Sequence, residues 1–289
     1  MTLFLADLHI HTALSPCAEA EMTPPAIVEA AMGKGLAMIA ICDHNAAGNV
    51  AATQEAARGA AQRELRPPIV IAGMEITTVE EVHVVGLFPG AWAALAAAEE
   101  VRATLPPATE KSSRFGEQRL LDAAGEVRGR DDRMLSAAST FELAAAVGLI
   151  HRRNGIAIAS HIDRPAFGVI GQLGMFPADA GFDAIELSAA WWRAESRGVH
   201  GCVEAVGGRG VERAAGPDFG VYEVRNGPQS PAAPLHHALA SGLPVLCGSD
   251  SHFLSDVGAC RTAFELQEPT FEELALAFRG LGGRRCHRA

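Results

Sequence analysis

The sequence predicts an α/β fold in which short parallel strands close into a barrel, and three observations carry that prediction. Apolar runs alternate with helical stretches and short returns, as where the helix opened by Thr23-Pro24-Pro25 leads to Met38-Ile39-Ala40-Ile41-Cys42, the βαβ unit of a parallel sheet. At 289 residues the chain has the size at which an α/β barrel forms one domain with a large buried core. Run after run ends in a histidine or an acid, and a barrel brings the C-terminal ends of its strands to one face.

Leu3-Phe4-Leu5-Ala6 reads as a buried strand leading into Asp7-Leu8-His9-Ile10-His11-Thr12. Side chains alternate across a strand, so His9 and His11 share a face and one cation can touch both rings. Neutral imidazole is the commonest protein metal ligand and carboxylates orient it from behind, which makes this stretch half of a metal site. Two ordinary hydrogen-bonded strand histidines are the plainer alternative.

Leu14 to Met22 reads as a loop, and Thr23 caps a helix that continues through Ala26 to Met32 and stops at Gly33 and Gly35. The second strand ends in Asp43-His44-Asn45. A helix over Val50 to Glu64 and Pro67-Pro68 lead to a third strand, Ile69 to Ala72, ending in Gly73-Met74-Glu75. The fourth, Val82 to Phe88, carries His83 near its start, and Trp92 to Arg102 is helical. From Thr104 to Ala138 the periodicity dissolves and charges crowd; the segment reads as a lid, anchored by Phe115 and Leu120-Leu121, in preference to a disordered excursion. A helix from Thr140 to Asn154 precedes the fifth strand, Ile156 to Ser160, and His161-Ile162-Asp163-Arg164-Pro165. Phe182 to Ser188 is the sixth strand, and the glycine- and proline-rich stretch 207–234 has no readable pattern. A short helix, Leu235 to Ser241, leads to Val245-Leu246-Cys247 and then Gly248-Ser249-Asp250-Ser251-His252. A strand near Ala263 to Leu266 and a helix from Thr270 to Arg279 close the fold, and Arg284 to Arg288 reads as a solvated end. With no internal repeat and no boundary linker, one domain over 1–289 is expected.

Apolar residues at 48% and charged ones at 20% exclude a disordered chain, and no apolar stretch approaches the length of a membrane span. The start of the chain lacks the basic residues of a secretory signal. Six widely spaced cysteines without a C-x-x-C pair indicate neither a disulfide framework nor a zinc ribbon, so a reducing cytoplasm is expected. A net charge of −10 argues against a protein that coats duplex nucleic acid, while leaving room for a small phosphorylated substrate or a nucleotide held by cations. Nothing in the sequence fixes an oligomeric state.

His9 and His11, His44, Glu75, His161, Asp250 and His252 all follow apolar runs, whereas His151, His200, His236, His237 and His287 do not and read as ordinary helix or loop residues. In their order, His9-Ile10-His11, Asp43-His44, Glu75, His83, His161 and Gly248-Ser249-Asp250-Ser251-His252 resemble the motifs of the polymerase and histidinol phosphatase (PHP) family of metal-dependent phosphoesterases. The resemblance runs from residue 7 to residue 252 and implies a distorted (β/α)7 barrel with two or three divalent transition metal ions, manganese, iron or zinc. It also implies that His9, His11, Glu75 and Asp250 hold one ion, Glu75, His83 and His161 a second, and His44 and His252 a third, Glu75 bridging the first two. One position departs from the family pattern. Six residues after His11, where a histidine or aspartate is usual, this chain has Cys17. A thiolate suits zinc better than manganese, so either the third site takes a softer metal or it is weak or empty; Cys17 can equally be a buried small residue. Asp7 and Asp43 read as carboxylates that fix histidine tautomers from behind.

Cations around a bridging carboxylate lower the pKa of a shared water and clamp phosphoryl oxygens, so the expected activity is phosphate-ester hydrolysis by a metal-activated hydroxide, with His44, His252 and Asp250 as catalytic residues. Arg164 is placed either to hold a phosphate oxygen or to form a salt bridge with Asp163 or another loop, and Arg114, Arg119, Arg193 and Arg197 are further candidates. An amidohydrolase-like enzyme acting on C–N or C–O bonds, and a metal-binding module without catalysis, are the alternatives.

Overall fold

Residues 1–63, 65–109, 116–196 and 232–288 are described by a computed structural model. Nine strands make one sheet, in the spatial order β11-β10-β1-β2-β3-β4-β7-β8-β9. In chain order these are β1 (Thr2–Ile10), β2 (Met38–Ile41), β3 (Ile69–Thr77), β4 (His83–Phe88), β7 (Ile156–Ala159), β8 (Ala184–Leu187), β9 (Val245–Cys247), β10 (Thr262–Leu266) and β11 (Arg285–Arg288). A separate hairpin of β5 (Arg119–Leu121) and β6 (Val127–Arg130) lies in the insertion. The helices are α1 (Pro24–Gly33), α2 (Val50–Ala61), α3 (Ala91–Arg102), α4 (Leu143–Arg152), α5 (Val169–Leu173), α6 (Ala189–Ser196), α7 (Ala232–Leu239) and α8 (Phe271–Phe278). Thr23 stands at the N-cap of α1 with proline behind it, and Thr270 caps α8 by accepting from the Glu273 amide.

The sheet is nearly closed, as a distorted barrel is. β11 lies beside β9, the Cys247 amide donates to Thr262 Oγ1 (2.9 Å), and Ile10 bridges to Ser251 beyond the end of β9. Alternate residues of the strands supply two buried layers. Ile39, Ile41, Val70, Ala72, Val84 and Phe88 pack with residues of α1 to α4, while Met38, Ala40, Ala6, Leu8, Ile71, Val85 and Ile158 pack together with Leu274 and Phe278 of α8.

Three features differ from the expectations. The sheet is only partly parallel: β1-β2-β3 and β7-β8-β9 are parallel, but β4 runs antiparallel to both β3 and β7, and β10 and β11 add antiparallel strands beside β1. The link from β3 to β4 is a tight turn closed by Thr78 N to Val82 O (2.9 Å), too short for a crossover, so reversal is the only course. His83, at the start of β4, therefore pairs with Thr77 at the end of β3 and sits at the same mouth as Glu75. The tail expected to be solvated forms β11, paired with β10. Cys247 and Cys260 are joined in a disulfide (Cα–Cα 5.7 Å), a pairing with no C-x-x-C signal to announce it.

The insertion is not an excursion. Its hairpin is fastened by Arg119 N to Ala13 O (2.8 Å), by Leu121 N to Asn49 Oδ1 (2.8 Å) and by Asn49 Nδ2 to Arg119 O (2.9 Å). Leu120 packs against Leu14, Leu105 and Leu135, whereas Phe115 lies outside the described residues. No helix among the described residues is long and apolar enough to cross a membrane.

Candidate metal centre

Strand ends deliver the side chains. β1 brings His9 and His11, the end of β2 brings His44, β3 brings Glu75, β4 brings His83, and the segments after β7 and β9 bring His161 and Asp250 with His252. Three non-glycine residues just beyond strand ends, Asn45 (φ 50°), His161 (φ 27°) and Asp250 (φ 50°), have left-handed backbones, an uncommon conformation that clusters at functional sites.

Glu75 is the hub. Its Oε1 faces His83 Nδ1 (3.1 Å), His9 Nε2 (3.3 Å) and His161 Nε2 (3.3 Å), and its Oε2 faces His44 Nδ1 (3.0 Å) and His11 Nε2 (3.5 Å). Asp250 Oδ1 lies 3.0 Å from His11 Nε2 and 3.5 Å from His9 Nε2. Among the described residues, donor atoms gather into three groups, His9-His11-Glu75-Asp250, His44-Glu75-His83 and His11-His44-His252. His161 reaches the second through Glu75. Both Glu75 oxygens, His44 Nδ1 and His83 Nδ1 are buried without a hydrogen-bond partner. Buried polar atoms of this kind are costly unless something compensates them. Imidazole nitrogens and carboxylate oxygens are the donors that divalent transition cations take, and the residues present fit such ions.

The electrostatics follow from crowding. Burial would raise Glu75, but the neighbouring His83 and His9 charges hold it well below the usual carboxylate range. Asp250, also buried, is held down by His9 and His11. Burial, with His252 and His44 beside it, keeps His11 well below the ordinary imidazole value, and burial lowers His83 to about 4. Burial alone would lower His9, yet the Glu186 and Glu75 carboxylates push it well up. Cys17 stands at the exposed rim; against the effect of burial, hydrogen bonds with His252 and His44 bring its thiol down to about 6. The thiol thus stands near the two histidines expected at the third site, but outside the donor groups above.

The carboxylates behind the site divide the work differently from expectation. Asp43 accepts from Thr12 N (2.8 Å), Thr12 Oγ1 (2.7 Å) and Ser15 Oγ (2.7 Å), and Ser15 Oγ lies 2.9 Å from His11 Nδ1, so Asp43 acts on that ring through a serine. Asp7 orients no imidazole. Donors from the Asp250 loop occupy it instead: Ser249 N (3.0 Å), Ser249 Oγ (2.6 Å) and Gly258 N (2.8 Å). The carboxylate against an imidazole is Glu186 of β8, whose oxygens lie 2.9 and 3.1 Å from His9 Nδ1. Sequence reasoning missed it, although a lone acid inside Ala184-Ile185-Glu186-Leu187 was a signal.

Arg164 is 43% exposed and its Nη1 lies 2.6 Å from Asp250 Oδ2. Asp163 is engaged elsewhere, accepting from Ser188 N and Ser188 Oγ. Arg119 pairs with Glu117, Arg193 is exposed on α6, and Arg114 and Arg197 lie outside the described residues. His151 pairs with Asp183 and His287 with Glu265, His236 and His237 lie on α7, and His200 is outside the described residues.

No curated protein matches this sequence. Among solved structures, a lesion-specific endonuclease from Pyrococcus furiosus aligns over 99% of this chain and 58% of its own (TM-score 0.56, 17% identity). Endonuclease Q in complex with a 27-mer duplex substrate carrying an abasic lesion at the active site aligns over 98% and 58% (TM-score 0.57, 17% identity). A protein from Bifidobacterium adolescentis assigned as a metal-dependent phosphoesterase aligns over 86% and 87% (TM-score 0.49, 20% identity). The chain thus spans little more than half the length of the endonucleases. That complex overturns the exclusion of duplex nucleic acid drawn from net charge, since endonuclease Q, which shares this fold, takes a duplex. Whole-chain charge does not govern a site where cations dominate the local field. A family model described as PHP-associated matches residues 237–280. The PHP domain model matches residues 7–177, more than half of the sequence, and the chain belongs to the PHP domain family.

Proposed function

We propose that this chain, a metal-dependent hydrolase, cleaves phosphate esters, monoesters or diesters of a small metabolite or a nucleotide. The observation that carries the ester assignment is Arg164, a partly exposed guanidinium beside Asp250 and next to the cluster around Glu75. A fork of N–H donors at that place suits a phosphoryl group by charge-assisted hydrogen bonds.

His9, His11, Glu75 and Asp250 would hold one cation, Glu75, His83 and His161 a second, and His44 and His252 with Cys17 a third; manganese, iron and zinc are the candidates. When bound, such ions supply the charge that acidifies a water and neutralises phosphoryl oxygens. The protein groups do the remaining work. Arg164 orients the phosphoryl group. His252 Nδ1 meets the Asp250 carbonyl (2.8 Å), which fixes the ring and leaves Nε2 available. The side chains of His252 (19% exposed) and His44 (11%) are the imidazoles of the cluster most open to solvent, and they meet an entering leaving group first. β9 belongs to the same sheet as β1, which supports a reading of 1–289 as one unit with the insertion beside the mouth.

The test is turnover by metal-stripped protein reloaded with manganese, iron or zinc. Substrates are p-nitrophenyl phosphate, its bis ester, phosphorylated metabolites and oligonucleotides, single-stranded and duplex. Hydrolysis of a phosphate ester that requires the metal is the expected result. A fully loaded protein inert on all of them, but active on amides or lactones, would move the reading to an amidohydrolase.

A further inference from the structure

We propose that Glu186 is the positioning residue of the first cation site and that position 248 is glycine in order to admit it. The inference rests on the metal-centre reading above and adds to it a residue outside the expected ligand set.

Glu186 is 3% exposed on β8, flanked by the buried Ile185 and Leu187. Its Oε1 lies 2.9 Å from His9 Nδ1 and 3.3 Å from the His161 amide, which donates to it, and its Oε2 lies 3.1 Å from His9 Nδ1. One carboxylate thus grips a ring on β1 and the main chain after β7. With Nδ1 engaged, His9 turns Nε2 toward Glu75 (3.3 Å) and Asp250 (3.5 Å), and neither a ring flip nor the other tautomer keeps that arrangement.

Gly248 completes the argument from the opposite side. A Cβ at this position would collide with Glu186 Oε2 and stand 2.8 Å from His9 Cβ. Gly248 is not among the glycines with positive φ, so its backbone does not call for glycine; the requirement is space. The glycine two residues before Asp250 therefore makes room for the carboxylate behind His9, and the loop that supplies one ligand is shaped around the support of another.

The experiment is a cobalt(II) titration of the metal-stripped full chain, followed by visible absorption, on wild type, Glu186→Gln, Gly248→Ala and the double variant. Glu186→Gln keeps size and an acceptor oxygen but removes the charge. Gly248→Ala keeps every ligand and Glu186, and presses on the carboxylate and on the His9 side chain that the carboxylate holds. Each single variant is expected to bind cobalt about 10–100-fold more weakly, with an altered visible band, as loss of a ligand's hydrogen-bond partner does. The double variant is expected to bind no more weakly than the worse single one, because both changes break one contact. Far-UV circular dichroism of the metal-free proteins checks folding, and if Glu186→Gln fails to fold, Gly248→Ala still decides. Wild-type affinity in the folded variants overturns the proposal, and losses that multiply in the double variant overturn the role of Gly248. Wild type that takes up no cobalt removes the metal-centre reading itself, a result distinct from either.

Discussion

Replacing Asn45 by alanine tests whether the mouth and the insertion are held by one buried side chain. Asn45 Nδ2 donates to Leu135 O and Ala137 O, both at 2.9 Å, and its Oδ1 accepts from Thr77 N at 2.9 Å. It is fully buried, follows His44 directly, and joins the 104–138 segment to the end of β3. Alanine strands one amide and two carbonyls, about 1 kcal/mol each where water can enter the gap and up to about 3 where it cannot. Alanine also tolerates the φ of 50° poorly, adding about 1 kcal/mol. A total of about 4 kcal/mol is a large share of the stability of a typical domain and lowers Tm by about 8–16 °C for a chain of this size. Circular dichroism on heating is the assay, with limited proteolysis of the 116–138 segment beside it. Asn45→Gly, which relieves the backbone but not the hydrogen bonds, is expected to be milder by about 1 kcal/mol. A Tm loss below about 2 °C in the alanine variant, or a glycine variant no better than alanine, would refute the reasoning.

Glu75→Gln puts an amide where five imidazole nitrogens face a carboxylate; bound metal by atomic absorption should fall and turnover should drop by about 100-fold or more, whereas a full metal complement with normal turnover contradicts the hub. Arg164→Ala should raise KM for a phosphate ester by about tenfold, the weight of one charge-assisted hydrogen bond, with a smaller effect on kcat, since Arg164 is proposed to hold substrate; an unchanged KM removes that role. Cys17 should react with iodoacetamide in the metal-free protein with a rate that rises through pH 6 and is flat by pH 8. Its folded pKa lies below the ordinary thiol value, so the thiolate persists at neutral pH and is lost only as pH falls through about 6. A rate still climbing at pH 9, read by peptide mass spectrometry, means the histidine contacts are absent.

The residues that gather at the mouth were legible because each follows or occupies an apolar run, and a sheet whose ends share one face turns that sequence regularity into proximity. His83 was legible as a candidate, but its placement depends on β4 running backwards, which alternation cannot reveal because its period is the same in both directions. Glu186 was hidden by a different limit: in a strand buried on both faces, an acid gives no sign of which ring it will meet. The hairpin within 104–138 escaped because β5 and β6 are three and four residues long and are fastened by Ala13 and Asn49, residues far away in sequence. The disulfide joins two cysteines whose spacing matched no pattern. Net charge misled about duplex nucleic acid because a sum over the chain says nothing of the field at one mouth.

The left-handed backbones of Asn45, His161 and Asp250 limit how this mouth can be re-engineered. Outside glycine, the residue types that enter that conformation most readily are asparagine, aspartate and histidine. Aspartate and histidine are also cation donors, so main-chain geometry and coordination chemistry select overlapping alphabets there. A library randomised at 161 and 250 should consequently return few solutions, with valine, isoleucine and threonine absent even among folded clones that have lost all activity.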